Sequence, residues 1–591
     1  LSLQYLQKRQ QRLLHKIKRS IVLDDQMTAK EILETYDSIV ISQVFFEDWV
    51  MFRLFEKEFL LISPSKDDIS SVATIWLYND EGLDFPHILL KNTEIDKGII
   101  LPPGKYRWVC LYEQESIVHS LFSYEEKIVD AVDRLIELLS MTETEKEKEF
   151  QKEFLYYWNN VAGSQSADVY LKQDIKFAKL QKYCSETTTR YIEQDIRLTD
   201  LYSCDTGGKR KWQQHFETEA FFVPITDSRE ILPPYRNHPW SVENVKEIIY
   251  GKQINHISAD TYFQLKSEIV STQNIVLVFE MNGLQAKVCF AVMIKCKDRS
   301  ERTLFEKIYE DSVDISLITI KRKDYLHLNE IIGNDSIIYG KKILLVGGGS
   351  LGSYVAPELV KNGASDIVIY DGDRLYDENR MRWVFGGLGV GSNKASTLGF
   401  LLEMIHPQVH TEIHENNLDE EALKSELQSV DLIIFTIGSS DTQLRFNRML
   451  SELHCQIPVF FVWLEAGGWY SHILVVKYEK QGCFECLYTN ADGTLVNNRA
   501  MLNTEVQSES SLIRNGCGGT RAAYGTSILL RTTAVLLNTM QQFFSGEIID
   551  NVLIDISPNT VSYPDYIIPV EGCNCCGNRK KLQMCETEAS Q

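Results

Sequence analysis

Over the first 160 residues, apolar runs give way to helical spacing. "SIVISQVFF" and "SVATIWLY" read as strands, and the Pro-Pro-Gly of "ILPPGKYRWVCLY" punctuates the chain after them. Ile128, Val132, Leu135 and Leu139 then recur at three- and four-residue intervals, which predicts an amphipathic helix. Ser123 and Glu126 stand ahead of it in the spacing of a capping box. "ETEKEKEFQKEFLYYWN" predicts a charged helix with Phe150, Phe154 and Trp158 on one face, closing a first unit at residue 158. At the other end, the basic "YLQKRQQRLLHKIKRS" is expected to be a solvated first helix rather than a targeting peptide, because no cleavage-site pattern follows it.

Residues 159–328 alternate strand-like and polar segments without a chemical motif, and the prolines of "LPPYRNHPW" predict an exposed turn. From 341 the pattern changes to strand, glycine turn, helix, strand. "KKILLVGGGSLGS" carries four apolar residues into Gly347, Gly349 and Gly352, and "DIVIYDGD" ends the next strand at Asp371 and Asp373. Pro357 falls inside the expected helix, where it removes a backbone donor and favours a kink. "YGTSILLRTTAVLLNTM" reads as a later helix.

Composition narrows the classes. At ~150 residues per domain, 591 residues imply three or four domains. A net charge of −21 and a pI near 5.1 disfavour nucleic-acid and anionic-lipid partners. No apolar run approaches the ~18 residues of a membrane span. Thirteen cysteines without a signal peptide favour reduced thiols, metal ligands or nucleophiles, and a cytoplasmic setting, over a disulfide framework. Cys289 and Cys296, in "KVCFAVMIKC", read as core strand residues.

The glycine turn suits a nucleotide phosphate but does not say which nucleotide. Asp371, about 20 residues on, would serve an NAD ribose, so a dinucleotide remains open at that point. The following residues lean towards ATP. Arg382 and Lys394 supply cations that hydride transfer does not require, whereas adenylation must neutralise departing pyrophosphate. Asn379 can bind a phosphate oxygen or a ribose hydroxyl.

GGGSLG, Asp371-x-Asp373, Asn379-x-x-Arg382 and Lys394 together resemble the ThiF-type adenylating domain of ubiquitin-activating enzymes and of their bacterial relatives in thiamin and molybdopterin synthesis. The resemblance covers about 340–580, and the usual Asn-Leu-x-Arg-Gln reads here "NRMRW", with Trp383 last. It implies a Rossmann-like domain over 329–591, ATP, Mg2+ and activation of a protein's C-terminal carboxylate. It also implies an acidic magnesium ligand after a later strand, for which Asp441 is the assignment, one place from the expected Ser440.

Two pairs, Cys483-x-x-Cys486 and Cys573-x-x-Cys576, supply four thiolates suited to a tetrahedral structural Zn2+, with Cys575 an alternative ligand and free buried thiols the bland reading. Cys517, in "RNGCGGTRAAYG", precedes a helix whose dipole favours its thiolate. In the resembling family the cysteine at this point accepts the activated carboxyl as a thioester. Residues 1–158 look like a bacterial ubiquitin-conjugating α+β domain with Cys110 as acceptor, although no His-Pro-Asn motif is present. The other reading of Cys110 is a core strand residue beside Trp108.

The whole order resembles the fused activating and conjugating enzymes of bacterial CBASS anti-phage operons. That implies an inactive adenylation-like α/β linker at 159–328 supporting a homodimer, a cGAS-like nucleotidyltransferase as carboxyl donor and a lysine as acceptor. An activating enzyme for a ubiquitin-like or sulfur-carrier protein leaves the first 158 residues unexplained. A non-catalytic scaffold gives Arg382, Lys394 and Cys517 no role.

Overall fold

The computed structural model describes residues 27–576 except 46–48, 69, 80–85, 87, 90–100, 112–120, 173–175, 203–211, 236–237, 252–253, 270–273, 298–301, 334–337, 491–497, 504–511, 515–519, 558, 562–564 and 567–569. The basic segment at 5–20 and Cys517 lie outside the described residues. The chain divides into two compact units, one of residues 1–166, 176–179 and 218–320, the other of 167–175, 180–217 and 321–591.

In the first unit, strands Val40–Phe45, Trp49–Leu54, Lys57–Ile62, Thr74–Tyr78, Tyr106–Val109 and Ile88–Leu89 form one sheet in that spatial order. The second and third of these were hidden in the sequence by a nearly unbroken run of large side chains. One face packs on helix Tyr124–Leu139 through Ile128, Val132 and Leu135. Ser123 and Glu126 make the expected capping box, each side chain bonding the other's backbone N–H.

The charged segment folds as two helices, Glu143–Lys152 and Phe154–Ala162, rather than one. Glu153 leaves helical geometry at ψ 24°, and the break serves two packing partners. Phe150 stacks on Tyr235 at 4.2 Å, while Phe154 and Trp158 pack on Phe290. Phe290 belongs to strand Lys287–Cys296, whose antiparallel neighbour Ile275–Asn282 is buried along seven of its residues. Pro233 and Pro234 of the expected exposed turn are themselves buried, and Tyr235 and His238 close that turn through their backbones.

The second unit contains a mainly parallel sheet. Its strands are β1 (Lys342–Val346), β2 (Asp366–Tyr370), β3 (His410–His414), β4 (Leu432–Phe435), β5 (Val459–Leu464), β6 (Ser471–Val476), β7 (Val552–Ile556) and β8 (Asp565–Tyr566), in spatial order β3-β2-β1-β4-β5-β6-β7-β8. Neighbours from β3 to β5 are parallel, and those from β5 to β8 are antiparallel. The crossover helices are α1 (Ser350–Lys361), α2 (Lys394–Glu403), α3 (Glu420–Glu426) and α4 (Ser440–Glu452), with α5 (Thr526–Phe544) following β6. Their apolar faces build a core on each side of the sheet. The order β3-β2-β1-β4 reverses direction between β1 and β4, the place where such sheets open a crevice at the carboxyl ends of the strands. Pro357 lies inside α1, which runs on through it.

Candidate active site

The crevice at this reversal is a cleft of about 720 Å³. Val346 ends β1 at its floor, and Gly347, Gly349 and Ser350 form the turn above. Each glycine has its own reason. Gly347 sits at φ +103°, a region that L side chains avoid. A Cβ on Gly352 would lie 1.9 Å from the Gly347 carbonyl oxygen, so only glycine allows α1 to start against the turn. Around Gly349 a Cβ would meet nothing within 4 Å, because this position faces the cleft.

The turn is held from outside. Asp371 Oδ2 accepts the Gly348 N–H at 2.7 Å, and its Oδ1 accepts the Asp373 N–H at 2.9 Å. Burial pushes the Asp371 carboxyl above its ordinary pKa, against the opposing pull of Lys394 and of these two donors. The Trp383 indole donates to the Gly348 carbonyl, and the Thr436 hydroxyl donates to the Gly347 carbonyl at 2.7 Å. The first N–H groups of α1 have no partners within their helix and point towards an anion at such a turn.

Five assigned residues beyond the glycines share the cleft: Asp371, Asp373, Asn379, Arg382 and Lys394. Lys394 Nζ lies 2.7 Å from Asp373 Oδ2, and the lysine's own N–H bonds the Asp373 carbonyl. Asn379 uses its Oδ1 to accept the Tyr376 N–H, capping the short turn Asp377–Asn379. The Arg382 guanidinium lies 5.5 Å from the centre of the Tyr524 ring, and its buried Nε has no hydrogen-bond acceptor among the described residues. Asp441 stands exposed in the first turn of α4 and is not among the residues lining the cleft, whereas Ser439, Thr442 and Arg445 are.

Some site residues were missed. Asn393 caps α2 and also donates to the Asp371 and Asp373 carbonyls, holding Lys394 in place. Its signal was legible: Asn three residues before Ser396, at the head of an apolar stretch. Thr436 and Arg445 carried no signal, because a Thr after a strand and an Arg on a helix are common.

Trp463 forms part of the cleft wall and stacks on the buried His472 with centroids 4.9 Å apart. His472 bridges Asp555 at 2.6 Å and Glu465 at 2.7 Å. Burial alone would lower the pKa of His472, but hydrogen bonds to the two carboxylates outweigh it and the net shift is upward. Glu465 also accepts the N–H groups of Leu502 and Asn503, and Ala523 accepts the Gly467 N–H. The Glu465–Gly467 turn therefore fastens the chain on both sides of the segment that contains Cys517.

The Sγ atoms of Cys483, Cys486, Cys573 and Cys576 all lie within 4.8 Å of one another, and all four side chains are buried. Cys483 and Cys573 are 3.8 Å apart and Cys486 and Cys576 3.3 Å. Four sulfurs at about 2.3 Å from a central Zn2+ would stand about 3.8 Å apart, so the cluster fits that ion. Cys575 is outside this foursome, and its Sγ accepts the Asn447 amide at 3.2 Å. Asn447 belongs to α4, whose first turn borders the cleft, so one helix spans both features.

In the first unit, Cys110 follows the last residue of strand Tyr106–Val109 and is half-buried at a separate cavity. It is therefore not a fully enclosed strand residue. Among the described residues no helix is long and apolar enough to cross a membrane.

Three relationships accompany this geometry. Ubiquitin-like modifier-activating enzyme 5 of Xenopus laevis is 25% identical over 205 residues, which cover 31% of this chain and 49% of the relative. SUMO-activating enzyme subunit 2 of Dictyostelium discoideum is 26% identical over 168 residues, covering 27% of this chain and 24% of the relative. The chain thus spans half or less of the length of these curated relatives. The crystal structure of E. coli MccB with MccA is similar with a TM-score of 0.33 and 16% identity, covering 42% of this chain and 70% of that one. Residues 334–559, which include the glycine turn, the cations of the cleft and the first cysteine pair, match the ThiF family model and form a ThiF-family domain.

Proposed function

We propose that the ThiF-family domain binds ATP with Mg2+ and adenylates the C-terminal carboxylate of a protein. The observation that carries this reading is a phosphate-sized glycine turn and two cations, Arg382 and Lys394, in one cleft. A carboxylate oxygen attacks the α-phosphorus, the P–O bond to pyrophosphate breaks, and an acyl-adenylate forms. Arg382 and Lys394 offset the charge that gathers on the leaving pyrophosphate. For Lys394 this means exchanging its Asp373 partner for a phosphate oxygen. Bound Mg2+ would add further neutralisation of the phosphates; Asp441, the carboxylate assigned to it, stands outside the cleft lining. Zn2+ on the four cysteines would be structural, since four thiolates leave no open position.

The second half of the proposal is a relay. The Cys517 thiolate displaces AMP to give a thioester, the Cys110 thiolate takes the acyl group by thioester exchange, and a lysine amine releases it as an amide. The relatives named for activating ubiquitin-like modifiers and SUMO support a protein donor. By the resemblance to fused CBASS enzymes, that donor is a cGAS-like nucleotidyltransferase in anti-phage defence, and the enzyme is a cytoplasmic homodimer. A ubiquitin-like donor is the alternative.

Calorimetric titration with Mg-ATP and with NAD tests the first half. Wild-type protein should bind Mg-ATP and not NAD, and Arg382→Ala and Lys394→Ala should each weaken ATP binding at least tenfold. Unchanged ATP affinity in both variants would remove the reading.

A further inference from the structure

The Cys110 cavity has walls from two parts of the first unit. Its volume is about 330 Å³, and it is lined by residues 151–153, 155 and 156 around the break between the two helices, and by residues 283–288 around a hairpin turn. That turn joins strands Ile275–Asn282 and Lys287–Cys296, which lie within the 159–328 region that the resemblance implied to be a linker. A thiol that carries an acyl group towards an amine needs a hydrogen-bond donor for the carbonyl oxygen, because that oxygen gains negative charge when the amine adds.

Five side chains of the cavity can donate: Gln151, Lys152, Tyr156, Gln285 and Lys287. Three of them are engaged. Gln151 donates to the Ile231 carbonyl, Lys152 pairs with Glu149, and Lys287 has an interaction partner of its own. Gln285 stands exposed in the hairpin turn, whereas Tyr156 is carried on helix Phe154–Ala162 with its ring edge-on to Tyr157 at 5.3 Å. Asn160, one turn further along the same helix, is the hydrogen-bonding neighbour of its phenol. Burial holds this phenol above its ordinary pKa, and Cys110 is close enough to add to the effect.

We propose that the Tyr156 hydroxyl donates to the carbonyl oxygen of an acyl group carried on Cys110, in a cavity shared between helix Phe154–Ala162 and the hairpin turn at 283–286. This rests on the reading of Cys110 as an acyl carrier. The amine nitrogen adds to the carbonyl carbon, and Tyr156 stabilises the resulting oxyanion. Collapse breaks the C–S bond, Cys110 leaves as a thiolate, and the ammonium proton passes to solvent. The linker region thereby becomes part of the conjugating site.

The test does not require the natural donor. Full-length protein is incubated with excess N-acetylglycine thioester of 2-mercaptoethanesulfonate, freed of reagent and chased with L-lysine. Peptide mapping locates the adduct, and intact mass follows its loss. Tyr156→Phe should load Cys110 as fully as wild type and lose the acyl group to lysine about tenfold more slowly. That is below the ~10²–10³ of an enclosed oxyanion donor, because Tyr156 is 37% exposed. Tyr157→Phe, an adjacent change that does not line the cavity, should match wild type. Equal lysine rates in wild type and Tyr156→Phe would overturn the role of Tyr156. Absence of any Cys110 adduct in wild type would overturn Cys110 as carrier, and the proposal with it, at the loading stage before any rate is compared.

Discussion

The indole Nε1 of Trp383 lies 3.0 Å from the carbonyl oxygen of Gly348. Gly348 also gives its N–H to Asp371, so both polar groups of this glycine are fixed by side chains outside the turn. Trp383 stands where the resembling family has Gln, and it is 2% exposed. The family's motif is thus altered here without losing a donor at that position.

Trp383→Phe keeps an aromatic ring but leaves the Gly348 carbonyl without that donor. An orphaned buried acceptor costs about 1–3 kcal/mol. Denaturant unfolding should show a loss of that size, and ATP affinity should fall with it. Stability equal to wild type would mean that the bond contributes nothing.

The glycines of one motif should respond differently to the same change. Gly352→Ala places a methyl 1.9 Å from the Gly347 oxygen, so the helix must move away from the turn. Overpacking of this kind typically costs about 1–3 kcal/mol and sometimes more. Gly349→Ala meets no protein atom, so its melting temperature should stay within about 1 °C, a shift below about 1 kcal/mol for a unit of this size. Its ATP affinity should nevertheless fall, because the methyl projects into the cleft. Normal nucleotide binding by Gly349→Ala would place the phosphate elsewhere.

Much of this site was legible because it is local. The glycine spacing, the acids after β2 and the cations after them all lie within 48 residues, 347–394, and their order survives folding unchanged. What escaped was contact between distant segments. Thr436 reaches the glycine turn from 89 residues away, and His472 meets Asp555 across 83. Neither residue type is unusual for its element, so periodicity carries no trace of the contact. The break at Glu153 was invisible for a similar reason. Helical spacing continues through it, and only the separate partners Tyr235 and Phe290 pull the two helices apart.

For the four-cysteine cluster we expect about one equivalent of zinc in freshly purified protein, read by elemental analysis. Cys573→Ser should lose the metal and destabilise the second unit, since a structural zinc site contributes folding energy directly. Cys575→Ser, outside the foursome, should retain it. Retention of zinc by Cys573→Ser would refute the ligand set.

His472 supplies a pH dependence with a defined sign. Its folded-state pKa is raised, so folded protein holds the proton more tightly than the unfolded chain, where histidine titrates near about 6.5. The added stability is complete below that unfolded value and is lost as pH rises through the higher folded one. Urea unfolding of wild type and His472→Gln should show a wide stability gap at pH 6 that narrows above neutrality. A gap of constant width would show that His472 does not hold an extra proton in the fold.

The relay predicts that the two cysteines fail at different stages. With ATP and the carboxyl donor, Cys517→Ala should still form acyl-adenylate, because adenylation uses the cleft and not this thiol. It should carry no thioester at either position. Cys110→Ala should accumulate a thiol-labile adduct at Cys517 and yield no amide. Thioester exchange between two cysteines is close to isoenergetic, so the transfer itself needs little driving force. A thiolate also attacks near neutral pH without the strong base that a serine needs. The cysteines are 407 residues apart in sequence, and transfer can run within one chain or between two. Mixing the two single variants separates these routes. Recovered amide formation shows exchange between chains, because each variant supplies the thiol that the other lacks. No recovery in the mixture is compatible with transfer within one chain. Amide formation by Cys110→Ala at the wild-type rate would remove Cys110 from the relay altogether.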